Sequence, residues 1–163
     1  MFYLTLFTAL KQHDIDYLLV GGLAMNLHGV PRMTMDVDIV IALDSHNLSK
    51  LVECTHALGL YPNIPVKLAD LASPTICADL YKEKNLIALS LISQLPATPT
   101  VDIIIHHPLD FASAYANKLK RDLAVTPVMV ASIEDMITMK IYAGRQQDLA
   151  DVAHLEAFLR EPQ

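Results

Sequence analysis

GGLAMNLHGVPRMTMDVDIVI, residues 21–41, sets two glycines after the apolar run Tyr17–Val20 and two carboxylates, Asp36 and Asp38, at the head of a second apolar run. In an extended chain successive side chains alternate between faces, so Asp36 and Asp38 point one way while Val37, Ile39 and Ile41 point toward a core. Strand geometry puts the two acids about 7 Å apart, where they repel. A hard divalent cation such as magnesium, which takes oxygen ligands and retains substrate phosphates, makes the pair reasonable. Thr100-Val101-Asp102-Ile103-Ile104-Ile105 is a second strand-like run with one acid among β-branched residues. If it lies beside the first, three carboxylates converge, enough to hold one or two magnesium ions and to activate an attacking hydroxyl. Gly21 and Gly22, ahead of a helix expected to start at Leu23, let backbone N–H groups approach a triphosphate closely.

Together these motifs resemble the nucleotidyltransferase superfamily related to DNA polymerase β, with its glycine pair, spacer, acid-hydrophobic-acid strand and later acid on a neighbouring strand. Ser132 to Lys140, followed by Gly144-Arg145-Gln146-Gln147-Asp148-Leu149-Ala150-Asp151, resembles the Lys and Arg-x-x-Asp-x-x-Asp motifs of AbiEii-like nucleotidyltransferases, many of them toxins of toxin–antitoxin pairs. The resemblance covers Tyr17 to Asp151. It implies an α/β (α+β) fold, a mixed sheet of about four to five strands flanked by helices. It also implies metal binding by Asp36, Asp38 and Asp102, nucleotide contacts from Gly21, Gly22 and Lys140, and a catalytic or base-contacting Asp148. Arg32 and Thr34 match an Arg-x-Thr that recurs in such relatives, where the arginine orients phosphate or braces a carboxylate. Two departures stand out. Many superfamily members carry serine where Gly22 stands, and the toxins commonly have a larger C-terminal region, whereas this sequence ends twelve residues after Asp151. Acceptor recognition is therefore expected to depend on an antitoxin-like partner or a homodimer.

Composition agrees with a compact enzyme. A chain of 163 residues fits one domain and can bury a substantial core. A 53% hydrophobic content and a mean hydropathy of +0.34 are high enough to suggest an apolar surface covered by another subunit. The formal charge of −6 excludes a protein that coats nucleic acid nonspecifically, because such binding needs many cations on phosphates. Lys118, Lys120 and Arg121 form the one dense basic cluster, read as a solvated helix end or edge strand. Cys54 and Cys77 have no metal-like spacing and suit a reduced, cytoplasmic protein. The apolar start Met1–Leu10 lacks the basic flank and cleavage site of a signal peptide, and the uncharged stretch Asn85–Val101, read past Asn85 and broken by Pro96 and Pro99, is too interrupted to span a membrane.

Periodicity and capping signals predict helices at about Tyr3–Gln12, after Gly22, from Asp44 or Ser45 to Leu58, near Ile76–Lys82 and near Leu109–Lys118. Strands are expected at Tyr17–Val20, from Asp36, near Leu86–Ile92 and near Thr100–His106. Tyr61–Pro74, with three prolines, reads as loop. Leu123–Val130 reads as a single strand kept at an edge by Pro127. Ser132 caps a helix that carries Lys140, and Asp148 opens the last helix.

By themselves Asp148 and Asp151 read as ordinary cap residues, and Lys140 with Arg145 as complements to a helix C-terminus; the upstream acids and glycines turn the balance toward a site, since a triphosphate needs cations opposite its metal. His28 is a candidate nucleotide contact, although a surface polar residue is the commoner outcome. Zinc is disfavoured, because the seven histidines show no ligand spacing and His106 and His107 would face opposite ways on a continuing strand. The reading is a magnesium-dependent enzyme that transfers NMP from an NTP to a hydroxyl of RNA, protein or a small molecule. A non-catalytic nucleotide-binding or antitoxin-like partner is the main alternative, and a magnesium-dependent hydrolase is the third.

Overall fold

Tyr17–Val20 (β1) is buried along its whole length, as a central strand requires. The computed structural model describes residues 1–161 and builds a seven-stranded mixed sheet on it. The chain order is α1 (Phe2–Gln12), β1, α2 (Gly21–Leu27), β2 (Val37–Ile41), α3 (Ser45–Ala57), β3 (Leu60–Pro62), a 3-10 turn (Leu68–Ala72), α4 (Pro74–Lys84), β4 (Ala88–Ser93), β5 (Val101–Ile104), α5 (Phe111–Ala116), β6 (Leu119–Leu123), β7 (Thr126–Val130), α6 (Ile133–Ala143) and α7 (Gln146–Arg160). The sheet order is β3-β4-β5-β2-β1-β7-β6. β2 and β5 run parallel, as do β1 and β7; every other pairing is antiparallel.

The helix ends follow their capping chemistry. Asp44, Ser73 and Ser132 each accept from a backbone N–H three residues on, and Gly144 closes α6 in the left-handed conformation, as a C-terminal glycine does. One face of the sheet, with Tyr17, Leu19, Ile39, Ile41 and Ile103, is sealed by α1; Phe7 stacks on Tyr17 with ring centroids 6.0 Å apart. Val37 shares that alternation, so Asp38 is forced onto the opposite face beside Val20.

The sheet exceeds the expected four to five strands, and the two additions have identifiable causes. β3 overlaps the start of the stretch expected as loop. Its three residues pair with β4, too few for a period-2 pattern to register. The single strand expected at Leu123–Val130 is a hairpin, β6 and β7, turning at Ala124-Val125 with Ala124 at φ 55°; no Gly or Asn announces the turn. β6 is the edge, and its exposed Lys120 and Arg121 give it the charged character that discourages strand addition. Pro127 pairs with Asp122 of β6, away from the single β1 register contact at Val130. Among the described residues no helix is long and apolar enough to cross a membrane.

Candidate active site

The junction of β1 and α2 shows why this sequence needs two glycines. The helix starts at Gly21, two residues earlier than expected. Gly21 has φ +69°, and a Cβ there would lie 2.7 Å from Cγ of Asp38; a Cβ on Gly22 would lie 2.8 Å from Cβ of Thr34. Gly21 thus faces the acids, while Gly22 faces Thr34 and serves loop packing. Gly21→Ala is expected to cost about 2 kcal/mol or more, from left-handed strain plus displacement of the carboxylate, and to lower the melting temperature by about 4–8 °C. An unchanged thermal midpoint would remove this account of the glycine.

Asp38 and Asp102 are register partners on the parallel strands β2 and β5, about 4.8 Å apart by strand spacing. Burial, then the charges of Asp102 and Asp36, push the Asp38 carboxyl up to about 6; Lys140 and Arg145 only partly offset them. Oδ1 of Asp102 is buried without a hydrogen-bond partner. Asp36 stands apart from the pair: exposed just before β2, its Oδ1 accepts from the Thr100 N–H at 3.3 Å. Among the described residues no three acids, histidines or cysteines are grouped so as to hold a metal ion. Of the three acids expected to converge, Asp38 and Asp102 are set side by side in register, and Asp36, whose charge also acts on Asp38, lies just ahead of β2 bonded to the segment entering β5.

Across from the pair, α6 and α7 assemble the cations. Lys140 Nζ lies 2.9 Å from Asp151 Oδ2 and 3.3 Å from Asp148 Oδ1. Arg145 forks onto Asp148, with Nε at 2.7 Å and an Nη at 3.2 Å. Asp148 also accepts from the Arg145 N–H at 3.2 Å, closing the N-terminus of α7. Its side chain is 1% exposed, and both oxygens are taken. Asp148, for which the sequence suggests a catalytic or base-contacting role, is placed at the N-terminus of α7 with its carboxylate capping the helix and bonded to Lys140 and Arg145. Burial pushes its pKa up, but the Arg145 hydrogen bond and the Lys140 and Arg145 charges outweigh burial and hold it below the ordinary value. Arg32 lies 3.4 Å from Asp151 Oδ1 and donates to the Gln147 amide oxygen once that amide is turned, so it braces a carboxylate. Thr34 Oγ1 donates to the Asp36 carbonyl at 3.4 Å.

Acids and cations enclose an open pocket of about 510 Å³ whose walls include Gly21, Asp38, Asp102, Lys140 and Arg145. Arg145 and Asp151, which by themselves read as a helix complement and a cap residue, take part in this ion-pair network. Tyr81, His106, His107 and Tyr142 also line the pocket; nothing in the sequence marks Tyr81, which α4 brings onto the His106 ring. β5 ends at Ile104, so the strand does not continue through the two histidines, and both line the pocket. His107 Nδ1 accepts from the Leu109 N–H at 3.2 Å, and burial, then His106, lowers its pKa. His28 is the clearest departure. It is 7% exposed, and Nε2 donates to the Ala131 carbonyl at 2.8 Å, so it ties α2 to the β7–α6 junction, and burial lowers its pKa.

The family model for the nucleotidyl transferase AbiEii toxin of type IV toxin–antitoxin systems matches residues 5–162. The chain belongs to that family. No curated protein matches it. Among solved structures, ANT(2")-Ia in complex with adenylyl-2"-tobramycin is 13% identical, with a TM-score of 0.58 over 95% of this chain and 86% of that one. The lincosamide antibiotic adenylyltransferase LnuA, lincomycin-bound, is 13% identical, with a TM-score of 0.55 over 90% and 89%. An antigenic nucleotidyltransferase-like protein from Paracoccidioides brasiliensis is 18% identical, with a TM-score of 0.56 over 94% and 72%. At these identities the likeness is one of fold. This AbiEii-family chain is a nucleotidyltransferase, and its family implies an NTP substrate and an antitoxin partner.

Proposed function

We propose that this AbiEii-family chain transfers a nucleoside monophosphate from an NTP to an acceptor hydroxyl, with magnesium held at Asp38 and Asp102 and completed by Asp36. The observation that carries the reading is the in-register Asp38–Asp102 pair facing Lys140 and Arg145 across one pocket. The donor set fits a hard cation: it is all oxygen, one Asp102 oxygen is buried without a partner, and burial, then the neighbouring acids, raise the Asp38 pKa. Magnesium needs only one or two protein carboxylates when phosphates complete its shell. When bound, it would neutralise the acids and polarise the reacting phosphate.

The remaining work belongs to the chain. Gly21 leaves room for the phosphates beside the acids, and Lys140 and Arg145 balance the charge that gathers on the leaving group. Asp102 takes the proton of the acceptor hydroxyl. The acceptor oxygen bonds to the α-phosphorus, the bond from that phosphorus to the bridging oxygen breaks, and pyrophosphate leaves with its electron pair. The pocket's acceptor is a hydroxyl of RNA, protein or a small molecule.

The test supplies each of four labelled NTPs with magnesium to a cell extract and compares the natural chain with Asp36→Asn/Asp38→Asn. Label is expected in one acceptor fraction with the natural chain alone, which also identifies the acceptor class. Equal labelling by the folded double variant would eliminate the carboxylate mechanism, and free nucleotide without labelled acceptor would make the enzyme a hydrolase.

A further inference from the structure

Beyond the acids and cations, the far wall of the pocket is aromatic. Tyr81 of α4 stacks on His106 with ring centroids 3.5 Å apart and planes 11° from parallel. Tyr142, in the last turn of α6, places its hydroxyl 2.6 Å from His106 Nε2, and its ring is tilted against the imidazole at 5.7 Å. Three elements distant in sequence thus converge on one imidazole, which follows β5 where the Ile105 and His106 N–H groups both donate to the Ile87 carbonyl.

This wall is not part of the core. Tyr142 and Ile87 are 53% and 50% exposed, and both line the pocket. His106 follows Asp102 by four positions, at most about 13 Å of extended chain, so the aromatic wall lies within the reach of a nucleotide whose phosphates sit beside the carboxylates of the same pocket. Its chemistry differs from theirs: the rings offer π faces and apolar edges, and the polar tips at Tyr142 and His107 can meet the edge of a heterocycle. A flat, weakly polar ring suits that surface, whereas the phosphates belong with Lys140 and Arg145, which line the same pocket with the acids.

Resting on the transferase reading above, we infer that Tyr81, His106 and Tyr142 form the subsite for an unpaired nucleobase. Base–aromatic stacking contributes enough per base to matter for affinity and tolerates different bases. The ring can come from the NTP or from the end of an RNA acceptor; both present the same chemistry, and the experiment separates them.

Dissociation constants are measured with magnesium for three probes: a nonhydrolysable NTP of each base, a short single-stranded oligoribonucleotide, and inorganic tripolyphosphate, which has no base. The variants are Tyr81→Leu, His106→Leu and the ring-preserving His106→Phe and Tyr142→Phe, each checked for folding by thermal unfolding. The leucine variants are expected to weaken one base-bearing probe by roughly 5- to 150-fold, to leave tripolyphosphate unchanged, and to be rescued in His106→Phe. Loss for the NTP alone assigns the subsite to the donor; loss for the oligonucleotide alone assigns it to the acceptor. Base-bearing probes that bind the leucine variants as tightly as the natural chain overturn the subsite and leave the transferase reading intact. A natural chain that binds none of the probes overturns both.

Discussion

Asp38→Asn is expected to abolish transfer and, at neutral pH, to make the protein more stable. Removing the carboxylate proposed to hold magnesium would forfeit several kcal/mol of transition-state stabilisation, roughly a thousandfold in rate. The gain in stability has a separate cause. Burial and the neighbouring acids raise the Asp38 pKa from 3.8 to about 6, so the folded chain holds this proton more tightly than the unfolded chain. The group's stabilising contribution is complete below about pH 4 and is lost as pH rises through about 6. Asparagine keeps the shape and discards the charge, so the variant should gain on the order of 2 kcal/mol above pH 6 and about 5 °C in melting temperature, with the gain vanishing near pH 4. Magnesium with a nonhydrolysable NTP should raise the midpoint of the natural chain but not of the variant. A variant less stable than the natural chain at pH 7.5 would refute this electrostatic account of the site.

Lys140→Met should have the largest effect on stability. The ammonium touches both Asp148 and Asp151, whose side chains are 1% and 3% exposed, and its removal leaves two buried carboxylates sharing only the arginines at their outer edge. Breaking such a network by deleting one partner costs about 3–5 kcal/mol. Adding Asp148→Asn and Asp151→Asn to the same chain should restore part of the loss, because no buried charge is then stranded. Urea unfolding at pH 7 measures both steps. In the natural chain the Asp148 contribution is present at neutral pH and lost as pH falls through its lowered folded pKa, the direction that linkage requires for a depressed carboxyl. A single variant within 1 kcal/mol of the natural chain would show that the arginines alone hold the two acids.

Much of this was legible in one dimension. Alternation along Val37–Ile41 put Asp36 and Asp38 on one side of a strand and the aliphatic residues on the other; the glycine pair, the Asp102 run, Lys140 and the Arg-x-x-Asp-x-x-Asp segment marked the family, because spacing within one element is a local property. Helix starts at Asp44 and Ser132 followed from capping chemistry for the same reason. What depends on contact between distant segments was decided only by the tertiary structure. The sheet order puts Asp102 beside Asp38 and leaves Asp36 at the rim. The packing of α6 on α7 turns Asp148 into a buried support for two cations, and the approach of α2 to the β7–α6 junction buries His28 against a backbone carbonyl. Tyr81, His106 and Tyr142 stand 25 and 36 residues apart in the chain, and no local pattern connects them. Sequence determines which face a side chain takes, since that is set by the period of its own element; which partner waits across that face is set by the packing of all the elements at once.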